Sequence, residues 1–152
     1  MAAQQQEQQK TIREQIGMTD EQFIEMGRIG AVYYEQGNFE KAQTIFEGLV
    51  ELDPTRADAQ ASLGAVLAQT WQNELALEHL DKAIELDAEQ IAPYVSRAEV
   101  LIRQQRLEEA VADLKRAIEL DPNEEDQGAN RARAIVLGLH EAFQAKEAEG
   151  MM

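Results

Sequence analysis

Residues 83–90 read AIELDAEQ, residues 117–124 read AIELDPNE, and residues 49–56 read LVELDPTR. One phrase recurs at an interval of 34 residues. It joins a helical apolar spacing to an Asp and, in two of the three copies, to a proline. Proline cannot continue a helix and pushes the residue before it out of helical angles. The phrase therefore marks the end of a helix, and a recurring end implies a recurring unit.

With the proline slot set at position 32, the chain divides into three units, Phe23–Arg56, Ala57–Gln90 and Ile91–Glu124. Position 8 is then Gly30, Gly64 and Ala98, and position 20 is Ala42, Ala76 and Ala110. Position 24 is Phe46, Leu80 and Leu114. Small residues in two columns and large ones in a third predict two helices per unit that cross closely. The turn between them falls near positions 14–17. Composition agrees. Apolar residues make up 44% of the chain but aromatics only 5%, so the core is built from Ala, Leu, Ile and Val. Three prolines and nine glycines leave too little punctuation for an all-β fold. The expected fold is all-α.

Charge narrows the partners. Acidic residues outnumber basic ones by 29 to 14, for a formal net charge of −15. Such a surface repels phosphate backbones and anionic lipid, which argues against nucleic acid and against membrane insertion. A basic or apolar protein partner fits better. The chain has no cysteine, which removes disulfides, thiolate catalysis and cysteine-based metal sites and is compatible with a reducing cytoplasm. The opening MAAQQQEQQK has no apolar signal-peptide core. The longest uncharged run, Ala59 to Asn73, is too short to span a bilayer.

The columns resemble the tetratricopeptide repeat, or TPR. Ile29, Gly30, Tyr33, Gly37, Phe39, Ala42, Phe46 and Pro54 carry the resemblance in the first unit. Leu63, Gly64, Leu67, Ala76, Leu80 and Ala83 carry it in the second, and Ala98, Leu101, Leu107, Ala110, Leu114, Ala117 and Pro122 in the third. It implies three helix-turn-helix repeats in a right-handed superhelix with a C-terminal capping helix. Two departures stand out. Arg97 holds position 7 of the third unit, where the family has a large apolar residue, so its guanidinium snorkels to the surface or the unit packs differently. The turn glycine occurs only as Gly37, with Trp71 and Gln105 in its place.

The flanks complete a three-part division. Residues 1–18 read as an N-terminal extension, partly helical and partly mobile, with the Gln-rich first ten residues as the mobile part. Residues 19–124 hold the repeats. Thr19 with Gln22 matches a capping box and Met18 with Phe23 a hydrophobic staple, so the first helix starts near Thr19. Residues 125–152 read as the capping helix and an acidic tail. Ala132, Ile135, Val136, Leu139, Ala142 and Phe143 recur there at helical spacing, over roughly Ala129–Glu147.

A search for catalysis finds no constellation. His79 has no nucleophile near it in sequence, and carboxylate pairs such as Glu108/Glu109 fall at helix starts or in loops. No glycine-rich phosphate loop and no metal-ligand cluster is present. The chain is not read as an enzyme, and no catalytic residue, metal or cofactor is expected.

The resemblance also implies a groove, because the first helix of each TPR unit lines a concave face. Carried over by position, the first unit offers Ile24, Gly27, Arg28, Ala31 and Tyr34. The second offers Asp58, Ala61, Ala65, Ala68 and Gln69, and the third Val95, Glu99, Ile102 and Arg103. This lining is small and mostly apolar in a strongly acidic chain, with the charges gathered on second helices such as EKAQTIFEGLVELD. Small residues would serve tight coiling, but so little charge exceeds what coiling needs, and exposed apolar patches mark binding sites. The expected occupant is an extended peptide segment of another protein, touching Tyr34 and Ile102, with Glu99 or Arg103 fixing its register. The Lys and Asn with which chaperone-cofactor TPRs grip a terminal carboxylate are missing from the matching positions. Trp71, at an inter-helix turn, has two readings: it packs over the turn that lacks glycine, or it anchors a partner.

A narrower resemblance is to the class II chaperones of bacterial type III secretion, which hold translocator proteins in the cytoplasm before export. The helical extension, three repeats and last helix carry it, together with RAEVLIRQQRLEEA in the third unit. It implies a cytoplasmic chaperone whose groove takes a partner's apolar anchor segment and whose N-terminal helix pairs two copies in a homodimer. The alternative is a scaffold or assembly factor that docks a folded partner on its acidic convex surface.

Overall fold

In the computed structural model, which describes residues 9–151, a short helix α1 (Ile12–Gln15) precedes three helix pairs. These are α2 (Asp20–Glu35) with α3 (Phe39–Leu52), α4 (Ala57–Gln69) with α5 (Asn73–Leu86), and α6 (Ala92–Arg103) with α7 (Leu107–Glu119). A last helix, α8, runs from Gln127 to Gly150. Among the described residues there is no strand, and the fold is the all-α repeat array that the columns imply. Residues 1–8, most of the Gln-rich start expected to be mobile, lie outside the described residues.

Helix starts follow local chemistry. The Thr19 hydroxyl accepts from the Gln22 N–H at 3.2 Å, and the Gln22 side chain accepts from the Thr19 N–H at 2.9 Å. Two N–H groups without helical partners are thereby satisfied. Met18 packs on the cluster that contains Phe23. Thr11 and Glu14 repeat the device at the start of α1. Arg13 then ties α1 to the first unit through Asp20 and Asp53.

Helix ends explain the repeated phrase. Asp53 and Asp87 are both extended, with φ near −150°. The Asp53 carboxylate accepts from the Thr55 N–H at 3.1 Å and from its hydroxyl at 2.6 Å, and the Asp87 carboxylate accepts from the Glu89 N–H at 3.0 Å. Asp87 closes its turn with Ala88, not proline, behind it. The carboxylate is therefore the constant part of the device. At the third end, Asp121 accepts from the N–H groups of Glu125 and Asp126 and from the Arg133 guanidinium at 3.0 Å, which fixes the loop that starts α8.

Within each pair the helices touch at the small columns. A Cβ on Gly64 would stand 2.6 Å from Leu80 Cγ and 3.2 Å from the Leu80 backbone nitrogen. One on Gly30 would stand 2.8 Å from the Phe46 ring. Ala98 and Leu114 hold the same positions in the third unit, both fully buried. The connecting turns place Gly37, Trp71 and Gln105 at positive φ, 74°, 62° and 62°. The backbone keeps the left-handed turn even without glycine, although a residue with a Cβ pays roughly 1–2 kcal/mol there.

Two details depart from simple repetition. Arg97 does not snorkel. Its guanidinium makes two 2.7 Å bonds to the buried Asp113 carboxylate and one of 2.9 Å to Asp81. The bond to Asp113 holds the guanidinium above its ordinary pKa. An ion triad across α5, α6 and α7 thus takes the place of the apolar contact that Leu63 makes in the second unit. Phe143, read as part of the capping face, is exposed. Helix α8 has 24 residues, against 12 and 13 for the α6 and α7 it packs on, so among the described residues its second half has nothing to lie against.

Gly64→Ala should lower stability by roughly 1 kcal/mol in urea unfolding, because overpacking against Leu80 outweighs the better helix preference of alanine. Gly27→Ala should be neutral or stabilising by up to about 1 kcal/mol, since its Cβ would meet only Leu49 Cδ1 at 3.8 Å. The opposite order would contradict the crossing argument. Asp121 supplies a pH test. Burial pushes its carboxyl up, but Arg133 and the Asp126 and Glu125 N–H groups outweigh burial and hold it below the ordinary carboxylate value. Its contribution is full above the unfolded pKa, about 4, and is lost as pH falls through the lower folded value. Asp121→Asn should therefore unfold more easily at pH 7, with the gap to wild type closing as the pH drops below about 4.

Candidate binding groove

The first helices of the units lie side by side, α2 on α4 and α4 on α6, and α8 continues the row beside α6. Their inner faces line a run of hollows. The first, between α2 and α4, is bounded by Ile24, Gly27, Arg28, Ala31 and Asp58 over a floor of Phe23, Phe46 and Leu49. The second reaches α6 and is lined by Ala31, Tyr34, Ala61 and Ala65, with Ser62 and Ser96 as its polar groups. Ala31, Phe46 and Ser62 belong to both, so the two are continuous. One turn further along α4 the third begins, lined by Ala68, Gln69, Trp71, Glu99, Ile102 and Arg103 with Arg131 and Ile135 of α8.

All the groove residues named from the sequence line these hollows except Val95. That side chain is 5% exposed and packs with Ala98, Leu101 and Ala132 beneath α8. Position 5 of the third unit, expected in the groove, lies instead under the start of α8, where Gly128 and Ala132 pack over it. Ala61 and Ala68 are also nearly buried, and their small size lets the neighbouring helix pack close, which keeps the wall low.

The sequence reading missed Phe46, Arg131 and Ile135. Phe46 stands in a packing column, and its ring is also the groove floor. The other two sit on the capping helix. Extending the 34-residue register from Glu125 puts Arg131 at position 7, Ala132 at position 8 and Ile135 at position 11. Helix α8 thus matches the first helix of a fourth unit.

Most groove charges are already matched. Arg28 pairs with Glu25 at 3.1 Å, and Glu99 pairs with Arg131. Asp58 pairs with Arg56 at 2.8 Å. Burial pushes the Asp58 carboxyl up, but the Arg56 hydrogen bond and charge hold it below its ordinary value. Burial, helped by the Glu99 charge, pushes the Tyr34 phenol up, so it stays neutral and able to donate at physiological pH. Trp71 is 69% exposed, with the Arg103 guanidinium 4.5 Å over its ring. It belongs to neither core cluster.

This arrangement suits recognition. An apolar floor with a few separated polar groups can take the side chains of an extended segment. Among the described residues, no group of His, Cys, Asp and Glu is placed to hold a metal ion, and no helix is long and apolar enough to cross a membrane.

Comparisons with known proteins agree with the geometry. The tetratricopeptide-repeat family matches residues 28–91 and again 92–124. Similar solved structures include SycD, the type III secretion translocator chaperone of Yersinia enterocolitica. It is 22% identical over 85% of this chain and 98% of its own, with a TM-score of 0.75. PcrH in complex with the chaperone-binding region of PopB is 24% identical over 78% of this chain and 97% of its own, with a TM-score of 0.68. The first TPR of Spaghetti (RPAP3), bound to an HSP90 peptide, is 22% identical over 80% and 96%, with a TM-score of 0.67. Among curated proteins no relative of the sequence is found. With matched repeats running from residue 28 to 124 and the helix pairs in register, the chain belongs to the tetratricopeptide-repeat family.

Proposed function

We propose that this chain is a non-catalytic cytoplasmic chaperone that captures an extended segment of a partner protein in the groove formed by α2, α4, α6 and α8. The observation that carries the proposal is the lining itself. In a chain of net charge −15, the inner face is a continuous strip of small and apolar side chains whose carboxylates already have cations. Such a strip gains by covering apolar surface. The fold shared with SycD, a type III secretion translocator chaperone, and with PcrH, which is bound to the chaperone-binding region of PopB, supports a cargo of that kind.

The open end of the array supports a homodimer. At positions 7 and 10 of the first unit, on α2, Ile29 and Val32 are 47% and 50% exposed. At the same positions of the second unit, on α4, Leu63 and Val66 are 3% and 0% exposed, because α3 packs over them. Among the described residues no helix plays the part of α3 for α2. A second copy pairing near the N-terminal helix would cover this apolar face.

Both parts can be tested. Ala31→Arg and Ala65→Arg should each abolish co-purification of the partner from the native host while leaving the far-UV circular dichroism unchanged. Undiminished binding by both would refute the groove, and binding that weakens steeply with salt would instead point to the acidic convex surface. Ile29→Glu combined with Val32→Glu should convert a sedimenting dimer to a monomer. A wild-type chain that sediments as a monomer at all concentrations would refute the dimer.

A further inference from the structure

We propose that the third hollow is a subsite for an acidic residue next to an apolar one: Arg103 takes a carboxylate of the bound segment, and the Trp71 ring covers the neighbouring apolar side chain. The proposal rests on the groove reading above and names which segment chemistry that groove selects.

Arg103 differs from every other arginine of the chain. Each of the others lies within ion-pair distance of at least one carboxylate. Arg103 has no such partner among the described residues, and its guanidinium makes no hydrogen bond there, with Nε buried and unpartnered. In a chain with 29 acidic residues against 14 basic ones, an arginine without a carboxylate runs against the composition. Its surroundings make the contrast sharper. Glu99, the one carboxylate lining this hollow, is engaged by Arg131, so the hollow carries a net positive charge within a strongly negative protein. That local reversal selects an anionic group.

Trp71 supplies the second half of the chemistry. It stands at φ 62°, a conformation that disfavours any residue with a Cβ, yet the residue is 69% exposed and does not enter the core. The equivalent turn residues are Gly37 and Gln105, so the turn has no need of an indole. The ring's established contact is the Arg103 guanidinium, 4.5 Å above it. Stacking uses the face of the guanidinium and leaves the terminal N–H groups on its edge to bind a carboxylate in its own plane. Ala68, Ile102 and Ile135 supply the apolar wall beside the pair.

The test uses the full chain and a phage-displayed library of random dodecapeptides as the probe. Selection on wild type should enrich peptides with Asp or Glu beside an aliphatic or aromatic residue. Selection on Arg103→Gln should keep the apolar anchors and lose the acidic enrichment. A synthetic peptide from the wild-type pool, compared with its Glu→Gln version, should bind wild type about tenfold more tightly and Arg103→Gln equally well, with quenching of the sole tryptophan as readout. Peptides that enrich on wild type and are lost on Ala65→Arg, but carry no acidic preference or the same preference on Arg103→Gln, overturn the subsite and leave the groove standing. If no peptide is lost on Ala65→Arg, the groove reading fails, and the subsite fails with it.

Discussion

The whole array depends on one close approach, repeated: a residue with little or no side chain at position 8 of each unit, on its first helix, against a large apolar residue at position 24, on its second. At Gly64 and Leu80 there is no room even for a methyl group. That contact fixes how near the helices of a pair stand, and the Asp-capped turn then fixes how the next pair follows. Because these are nearest-neighbour relations, three copies build a continuous core, with Leu77 packing on both the first cluster and the second. The groove is a by-product of the same constraint. Helices held this close align their first members, and small residues between them keep the wall low.

Electrostatics then separates the two sides of the array. The second helices and loops carry most of the charge, and the inner face carries pairs that neutralise each other. In the Arg97 triad a charge at a core position is held by two carboxylates, one of them buried. Against that pattern, the one arginine without a carboxylate partner among the described residues lies not in the core but at the end of the groove, over the exposed Trp71 ring. What holds the protein together and what equips it to bind are thus distributed over different faces.

Much of this was legible in the sequence because it was written several times. Gly30, Gly64 and Ala98 locate the helix crossing only as a column, and the three Asp residues locate the helix ends in the same way. The groove residues followed from the same register, although which of them touch solvent did not. Val95 has the right position but lies under α8, and a helix that covers its neighbour cannot be seen from the neighbour's own sequence. Arg97 was legible as an anomaly and not as a solution, because its partners Asp81 and Asp113 stand 16 residues away on either side. Arg131 was legible in principle, since the 34-residue register runs on into α8. Phe143 shows the limit of periodicity: apolar spacing says which face a residue occupies, not whether another helix reaches it.

The central claim, that the inner face and not the convex surface holds the partner, is tested most directly by site-specific photo-cross-linking in the native host. A photoreactive amino acid would replace Gln69, exposed in the groove, and in a second strain Lys82, exposed on the outer helix α5. The account predicts a discrete adduct with one partner from position 69 and none from position 82. An adduct from position 82, with position 69 silent, would contradict it.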